Sequence, residues 1–311
     1  MLGAIIGDIA GSTYEAKEIE RVRNKEEINI EERKRVLDKE NTPLFPIGSS
    51  YTDDSVLSIA IADALLNDCY FPAEFEKYLK EYGLKELSKG EDDFGRNRFG
   101  KGFCEWLNGG HFTSSYGNGC AMRISPVPMY CDSINKVYTI SHNATCPTHD
   151  HDESYTAVDA VCLAIYYAKK KKPKDYIKRV IEQTCGYDLN FNFKELQKTN
   201  TFTSRAKDSV PQAIYCFLIS DDFEDSIRKA ISIGGDTDTI ASITGAIAEN
   251  YYGIPQSIKA EAESFISEDM KEVLVEFYSK VYHDELEKNK HQKYNNSYYK
   301  RLQKTKNTRK N

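Results

Sequence analysis

The 311-residue sequence lacks most of what would mark a membrane, secreted or metal–sulfur protein. No run approaches the roughly 18 consecutive apolar residues of a transmembrane helix. The opening Met1-Leu2-Gly3-Ala4-Ile5-Ile6-Gly7-Asp8 has no basic leader and meets Asp8 too soon for a signal peptide. These absences exclude the membrane as a partner and place the chain in the cytoplasm. The eight cysteines are dispersed, with no Cys-x-x-Cys pair and no Cys–His group at zinc spacing, so most read as reduced, buried small hydrophobes. Strand signals are scarce as well: almost nowhere do four or more residues alternate with β-branched enrichment. The expected fold class is all-α. Neither an internal repeat nor a Gly/Ser- or Pro-rich linker divides the body, so one compact domain over residues 1–287 is expected.

Charge is present but uneven. The formal net charge is −6, and beyond Glu287 there are nine Lys or Arg residues and no acid. Removing those nine cations leaves the body at −15 and marks 288–311 as a basic, solvated tail. The tail raises nucleic acid as a partner, a less favoured reading than simple solvation. Residues 17–41 are densely charged with both signs and read as a solvated helical excursion without chemistry.

The stretch that organises the chain is Gly234-Gly235-Asp236-Thr237-Asp238-Thr239-Ile240-Ala241-Ser242. A Gly pair, two carboxylates at i, i+2 and a hydroxyl precede a small-faced apolar helix, which is how a loop delivers hard oxygen ligands to Mg²⁺, Ca²⁺ or Mn²⁺. Ordinary capping explains the same residues. A second cluster of the same character, Tyr51-Thr52-Asp53-Asp54-Ser55 ahead of the apolar run from Val56 to Leu65, favours a shared site. Gly3, Gly7 and Gly11 recur every four positions and predict a smooth-faced buried helix carrying Asp8 and Glu15 inward. Tyr116-Gly117-Asn118-Gly119-Cys120 is a Gly-flanked loop that reads on its own as a plain turn or as a backbone site suited to an anion. Cys120 has no evident base partner, so a nucleophilic role is not favoured. His149 and His151 precede a helix from about Ser154, and their spacing does not suit zinc. Residues 186–204 read as a long loop of the kind that covers a site or is disordered.

If Glu15, Thr52-Asp53-Asp54 and Asp236-Asp238-Thr239 converge, they supply five carboxylates and two hydroxyls, enough for two divalent ions about 3.5–4 Å apart. Five unpaired buried carboxylates would repel at a cost of several kcal/mol each, so convergence implies cations, and hydrolysis is the natural reaction class.

In order along the chain, Gly7-Asp8-x-x-Gly11-x-x-x-Glu15, Thr52-Asp53-Asp54, Gly117-Asn118-Gly119-x-Ala121-Met122-Arg123, Thr148-His149 with Glu153, Ser209-Val210-Pro211-x-Ala213, and Gly234 to Ala241 resemble the ADP-ribosylglycohydrolase family. The resemblance covers about residues 1–255. It implies an orthogonal helical bundle with two Mg²⁺ or Mn²⁺ ions in a central cleft, and hydrolysis of a glycosidic bond to ADP-ribose. It further implies metal ligation by Thr52, Asp53, Asp54, Asp236, Asp238 and Thr239, catalytic roles for Glu15, Asp53 and Asp238, and substrate contacts from Gly117, Asn118, Gly119 and His149. The expected substrate is an ADP-ribosylated protein, arginine-linked by preference, with ADP-ribose as product. Serine, free-ester or nucleobase linkages, a non-catalytic ADP-ribose-binding module, and an unrelated di-metal phosphatase are the alternatives. Where many family members have His-Pro-Glu-Gly, this chain has His151-Asp152-Glu153-Ser154, which alters loop shape but removes no expected metal ligand.

Overall fold

The computed structural model describes residues 1–90, 99–110 and 114–288, the last six by backbone alone. The described chain is helical from end to end: α1 (Leu2–Asn24), α2 (Ile30–Arg35), α3 (Asp53–Leu66), α4 (Pro72–Leu87), α5 (Lys101–Leu107), α6 (Gly119–Met122), α7 (Pro126–Tyr130), α8 (Ile134–Thr145), α9 (Asp152–Lys169), α10 (Lys174–Cys185), α11 (Phe193–Thr199), α12 (Ala206–Leu218), α13 (Phe223–Ser232), α14 (Thr237–Tyr252), α15 (Gln256–Ala262) and α16 (Glu268–Lys288). Among the described residues there is no strand, and extended pairing is limited to isolated bridges between Ser114 and His149 and between Gly117 and Arg205. No described helix is long and apolar enough to cross a membrane.

The glycine stripe explains the centre of the fold. Without a side chain at Gly3, Gly7 and Gly11, α1 lies flush and antiparallel on α14. A Cβ on Gly3 would stand 2.3 Å from Gly245 O, one on Gly7 2.0 Å from Ala241 O, and one on Gly11 2.5 Å from the Asp238 Cα. Thr237 Oγ1 donates to Gly11 O at 3.0 Å across the same seam. The first half of α1 and nearly all of α14 are buried, and α3, α9, α12 and α13 pack around the pair. Glycine therefore fixes how closely the Asp8–Glu15 segment approaches Asp238.

The charged excursion is more integrated than its composition implies. Helix α1 continues to Asn24 and ends on Lys25 in the left-handed region, and α2 follows, capped by Asn29. Most of these charges face solvent, but Glu18 and Arg33 turn inward and are buried. The segment expected to be a long loop over 186–204 contains α11. Residues 91–98, 111–113 and the tail beyond 288 lie outside the described residues.

Candidate active site

Both acidic clusters begin helices, and the two beginnings are built differently. Thr52 is a true cap: its side chain accepts from Asp54 N at the start of α3. Asp236 occupies the capping position of α14 but makes no side-chain cap there. Its Oδ2 accepts instead from Asn118 Nδ2 at 2.8 Å. Its neighbour Asp238 accepts from Thr239 N at 2.8 Å. A carboxylate diverted from capping is available to the cleft in front of the helix.

Asp8 docks the two helix starts together. From α1 it accepts from Thr52 N at 2.9 Å, Thr52 Oγ1 at 2.8 Å, Ser55 N at 3.1 Å and the Ser55 hydroxyl. Thr52 Oγ1 lies 3.5 Å from Asp238 Oδ2, and Thr239 Oγ1 3.3 Å from Asp54 Oδ2. Sequence reasoning sent Asp8 to the interior but gave it no place at the site. The i, i+7 spacing to Glu15, two turns along one helix face, was the available signal.

Thr52, Asp53, Asp54, Asp236, Asp238 and Thr239 line a cleft of about 500 Å³, whose walls include the Gly117–Gly119 loop, His149, Phe99, Phe103, Phe202 and Ser204. A larger cleft of about 640 Å³ around Tyr70, Tyr130 and Lys280 shares no lining residue with it and contains Asp132 as its one carboxylate. Every expected site residue, Glu15, Thr52, Asp53, Asp54, Gly117, Asn118, Gly119, His149, Asp236, Asp238 and Thr239, lines the 500 Å³ cleft.

The electrostatics are those of crowded anions. Carboxylate oxygens of Glu15, Asp236 and Asp238 all lie within 4.8 Å of one another. Burial, and then repulsion from Asp238, pushes Glu15, Asp53 and Asp54 well above the usual carboxylate range. The same two causes raise Asp8 to about 7, against the pull of its Ser55 and Thr52 hydrogen bonds. Asp238 is held well above its usual value by burial and by Asp236. The buried Arg123 guanidinium draws the Asp53 carboxyl down, more weakly than burial and the neighbouring carboxylates push it up, and it donates to Thr148 Oγ1 at 2.7 Å. One oxygen of Asp54, Oδ1, is buried without a hydrogen-bond partner. An all-oxygen donor set with a surplus of buried negative charge suits hard divalent cations.

The substrate-side wall is braced from three directions. Asn118 N donates to Ser204 O at 2.8 Å, Ala206 N to Tyr116 O at 3.1 Å, and Asn118 Nδ2 also reaches Ser209 Oγ at 3.1 Å. Arg205 spans Tyr116 and Glu153, its guanidinium over the Tyr116 ring at 5.1 Å and its Nε 2.9 Å from Glu153 Oε2. His149 is buried, bonded through Nδ1 to Thr148 Oγ1 at 2.7 Å, and burial with Arg123 nearby keeps it neutral. Of the other histidines near it, His142 pairs with Asp159, and His151 caps α9. Cys120 is fully buried with its thiol pushed up to about 11, which makes it inert.

A sequence profile described as ADP-ribosylglycohydrolase matches residues 1–290. The chain belongs to the ADP-ribosylglycohydrolase family, and it is an enzyme of that family. It is 27% identical to the ADP-ribosylhydrolase ARH3 of Bos taurus, over 92% of this chain and 93% of that protein. It is 21% identical to the ADP-ribosylarginine hydrolase Tri1 of Pseudomonas putida, over 82% of this chain and 70% of that protein. A solved structure of an ADP-ribosylglycohydrolase-related protein complex superposes with a TM-score of 0.60 at 20% identity, over 90% of this chain and 97% of that one, which supports the shared all-α fold. Among ADP-ribosylglycohydrolases, the expected resemblance is thus borne out at the level of family and fold.

Proposed function

We propose that the cleft holds two Mg²⁺ or Mn²⁺ ions and that the enzyme hydrolyses the glycosidic bond between ADP-ribose and a modified protein side chain, arginine first among them. The convergence of Glu15, Asp236 and Asp238 within 4.8 Å, beside Thr52-Asp53-Asp54, carries this reading. The ligands would be Thr52, Asp53, Asp54, Asp236, Asp238 and Thr239, with Glu15 at the same site. When bound, the ions supply charge stabilisation for an oxocarbenium-like transition state and activation of water.

The chain's own residues supply position. Asn118 fixes the Asp236 carboxylate through its amide and presents the loop backbone of Gly117 and Gly119 to the cleft. An arrangement in which the Thr148 hydroxyl accepts from Arg123 and donates to His149 Nδ1 leaves Nε2–H as a neutral donor beside Gly119. Such a donor, with the loop N–H groups, suits the ribose and diphosphate oxygens of ADP-ribose. Glu15 lines the cleft and is partly buried beside Asp236 and Asp238, which supports a role as general acid or base.

The relative named for arginine supports that linkage, whereas the more similar ARH3 proteins carry no linkage in their name. A panel of arginine-, serine-, ester- and nucleobase-linked ADP-ribose, assayed with Mg²⁺ and with EDTA, tests both parts. The expected result is ADP-ribose release from the arginine conjugate that EDTA abolishes. Release undiminished by EDTA would end the metal reading, and turnover of only another linkage would end the arginine assignment. Binding of ADP-ribose without turnover of any conjugate would support a recognition module instead.

A further inference from the structure

Within the charged excursion, Arg33 is the side chain that surface solvation does not explain. It is 5% exposed although α2 is a short surface helix. Its Nη2 donates to Glu18 Oε1 and Oε2 at 2.8 and 2.9 Å and to Asn200 O at 2.8 Å, and its Nη1 donates to Gln197 O at 2.9 Å. Glu18 lies on α1 one turn beyond Glu15. Asn200 closes α11 and passes the contact on, its Nδ2 donating to Gly234 O at 2.9 Å and to Gln212 Oε1 at 3.0 Å.

The Gly234-Gly235 turn is shaped to receive this group. Both glycines have positive φ, 72° and 86°. A Cβ on Gly234 would lie 2.0 Å from Arg33 Nη2, and a Cβ on Gly235 would lie 2.6 Å from Asn200 Nδ2. The planar guanidinium and the Asn200 amide therefore rest directly on the backbone that delivers Asp236 and Asp238. A buried ion pair is weak grounds for stability, since well-packed apolar groups often do as well. What Arg33 provides instead is geometry: a planar fork with several fixed donors, which a lysine does not reproduce.

We propose that Arg33 is a positioning residue that clamps the Glu15 segment of α1 and the Gly234-Gly235 turn into one frame, holding Glu15, Asp236 and Asp238 at cation-binding separation. The inference rests on the metal-dependent reading of the cleft. Supporting groups behind metal ligands are typically worth about 10- to 100-fold in metal affinity.

The test is calorimetric Mn²⁺ binding to substrate-free protein, with circular dichroism and with kcat and KM on ADP-ribosyl-arginine, for wild type, Arg33→Met, Arg33→Lys and the exposed neighbour Arg35→Met. Arg33→Met is expected to weaken Mn²⁺ binding about 10-fold or more and to lower kcat with little change in KM. Arg33→Lys should recover part of the affinity, and Arg35→Met should match wild type. A folded Arg33→Met protein with wild-type Mn²⁺ affinity overturns the proposal, whatever its melting temperature. If Arg33→Met does not fold, Glu18→Gln is read by the same criterion. A wild type that binds Mn²⁺ but releases no ADP-ribose overturns the proposed reaction and leaves the Arg33 comparison decisive; a wild type that binds no Mn²⁺ overturns both.

Discussion

Asp238 dominates the electrostatics of the cleft, because its charge is the leading cause after burial for the raised carboxyls of Asp8, Glu15, Asp53 and Asp54. Replacing it should therefore affect stability and activity in opposite directions. Asp238→Asn is expected to lower ADP-ribose release by on the order of 10²-fold or more, because Asp238 is a proposed metal ligand and a ligand is worth at least as much as the groups behind it. In EDTA the same variant should melt a few degrees higher than wild type, a gain of about 1–2 kcal/mol from relieved repulsion. Parallel assays and melting curves check both, and a lower melting point in EDTA would contradict the repulsion argument. Gly7 makes the opposite kind of prediction. A methyl group there would meet backbone, Ala241 O at 2.0 Å, and backbone cannot swing aside. Gly7→Ala should cost at least the roughly 1–3 kcal/mol of ordinary overpacking, visible as a lowered urea midpoint.

At the scale of elements, the two helix starts were legible as sequence and ambiguous as chemistry. Hydroxyl and carboxylate residues before apolar runs predict capped helices, and α3 and α14 begin there. Which carboxylates cap and which face a cleft depends on partners far along the chain: Asp8 for Thr52, and Asn118 for Asp236. The excursion at 17–41 shows the converse failure. Its charge density reads as solvated, and only the arrival of α11 and the Gly234 turn makes Arg33 interior. The wall opposite the acids is likewise assembled from separate elements, with Arg205 of the α12 start joining Tyr116 to Glu153 of α9. Arg205→Ala is expected to raise KM for the ADP-ribosylated substrate several-fold while kcat changes little, since the loop carrying Asn118 loses a brace but no catalytic group. Steady-state kinetics that show the reverse pattern would contradict this.

At the scale of the whole molecule, a core of tightly packed helices encloses a charged floor, and the two are linked through protons. Asp8 binds a proton up to about pH 7 when folded, whereas its ordinary value is 3.8. Between those values the folded state retains a proton that the unfolded chain has released, so stability must fall as pH rises. The raised Glu15, Asp53, Asp54 and Asp238 carboxyls act in the same direction. Metal-free protein is therefore expected to lose stability from pH 5 to pH 8, and saturating Mn²⁺ should flatten or reverse that slope by binding the folded state alone. Urea midpoints across this range, with EDTA and with Mn²⁺, measure it, and a metal-free midpoint rising toward pH 8 would overturn the account.

The sequence by itself determined the all-α class, the two acidic helix starts and the family, because local period, capping chemistry and short motifs are written in neighbouring residues. The glycine spacing also announced a close helix approach, though not its partner. Tertiary structure alone decided that α14 is that partner and that Asp8 binds the start of α3. It alone decided that Asp236 faces the cleft instead of its own helix, and that Arg33 lies beneath the Gly234 turn. Each of these rests on contacts between residues more than forty positions apart, and spacing along a chain carries no information about which distant groups will share one buried volume.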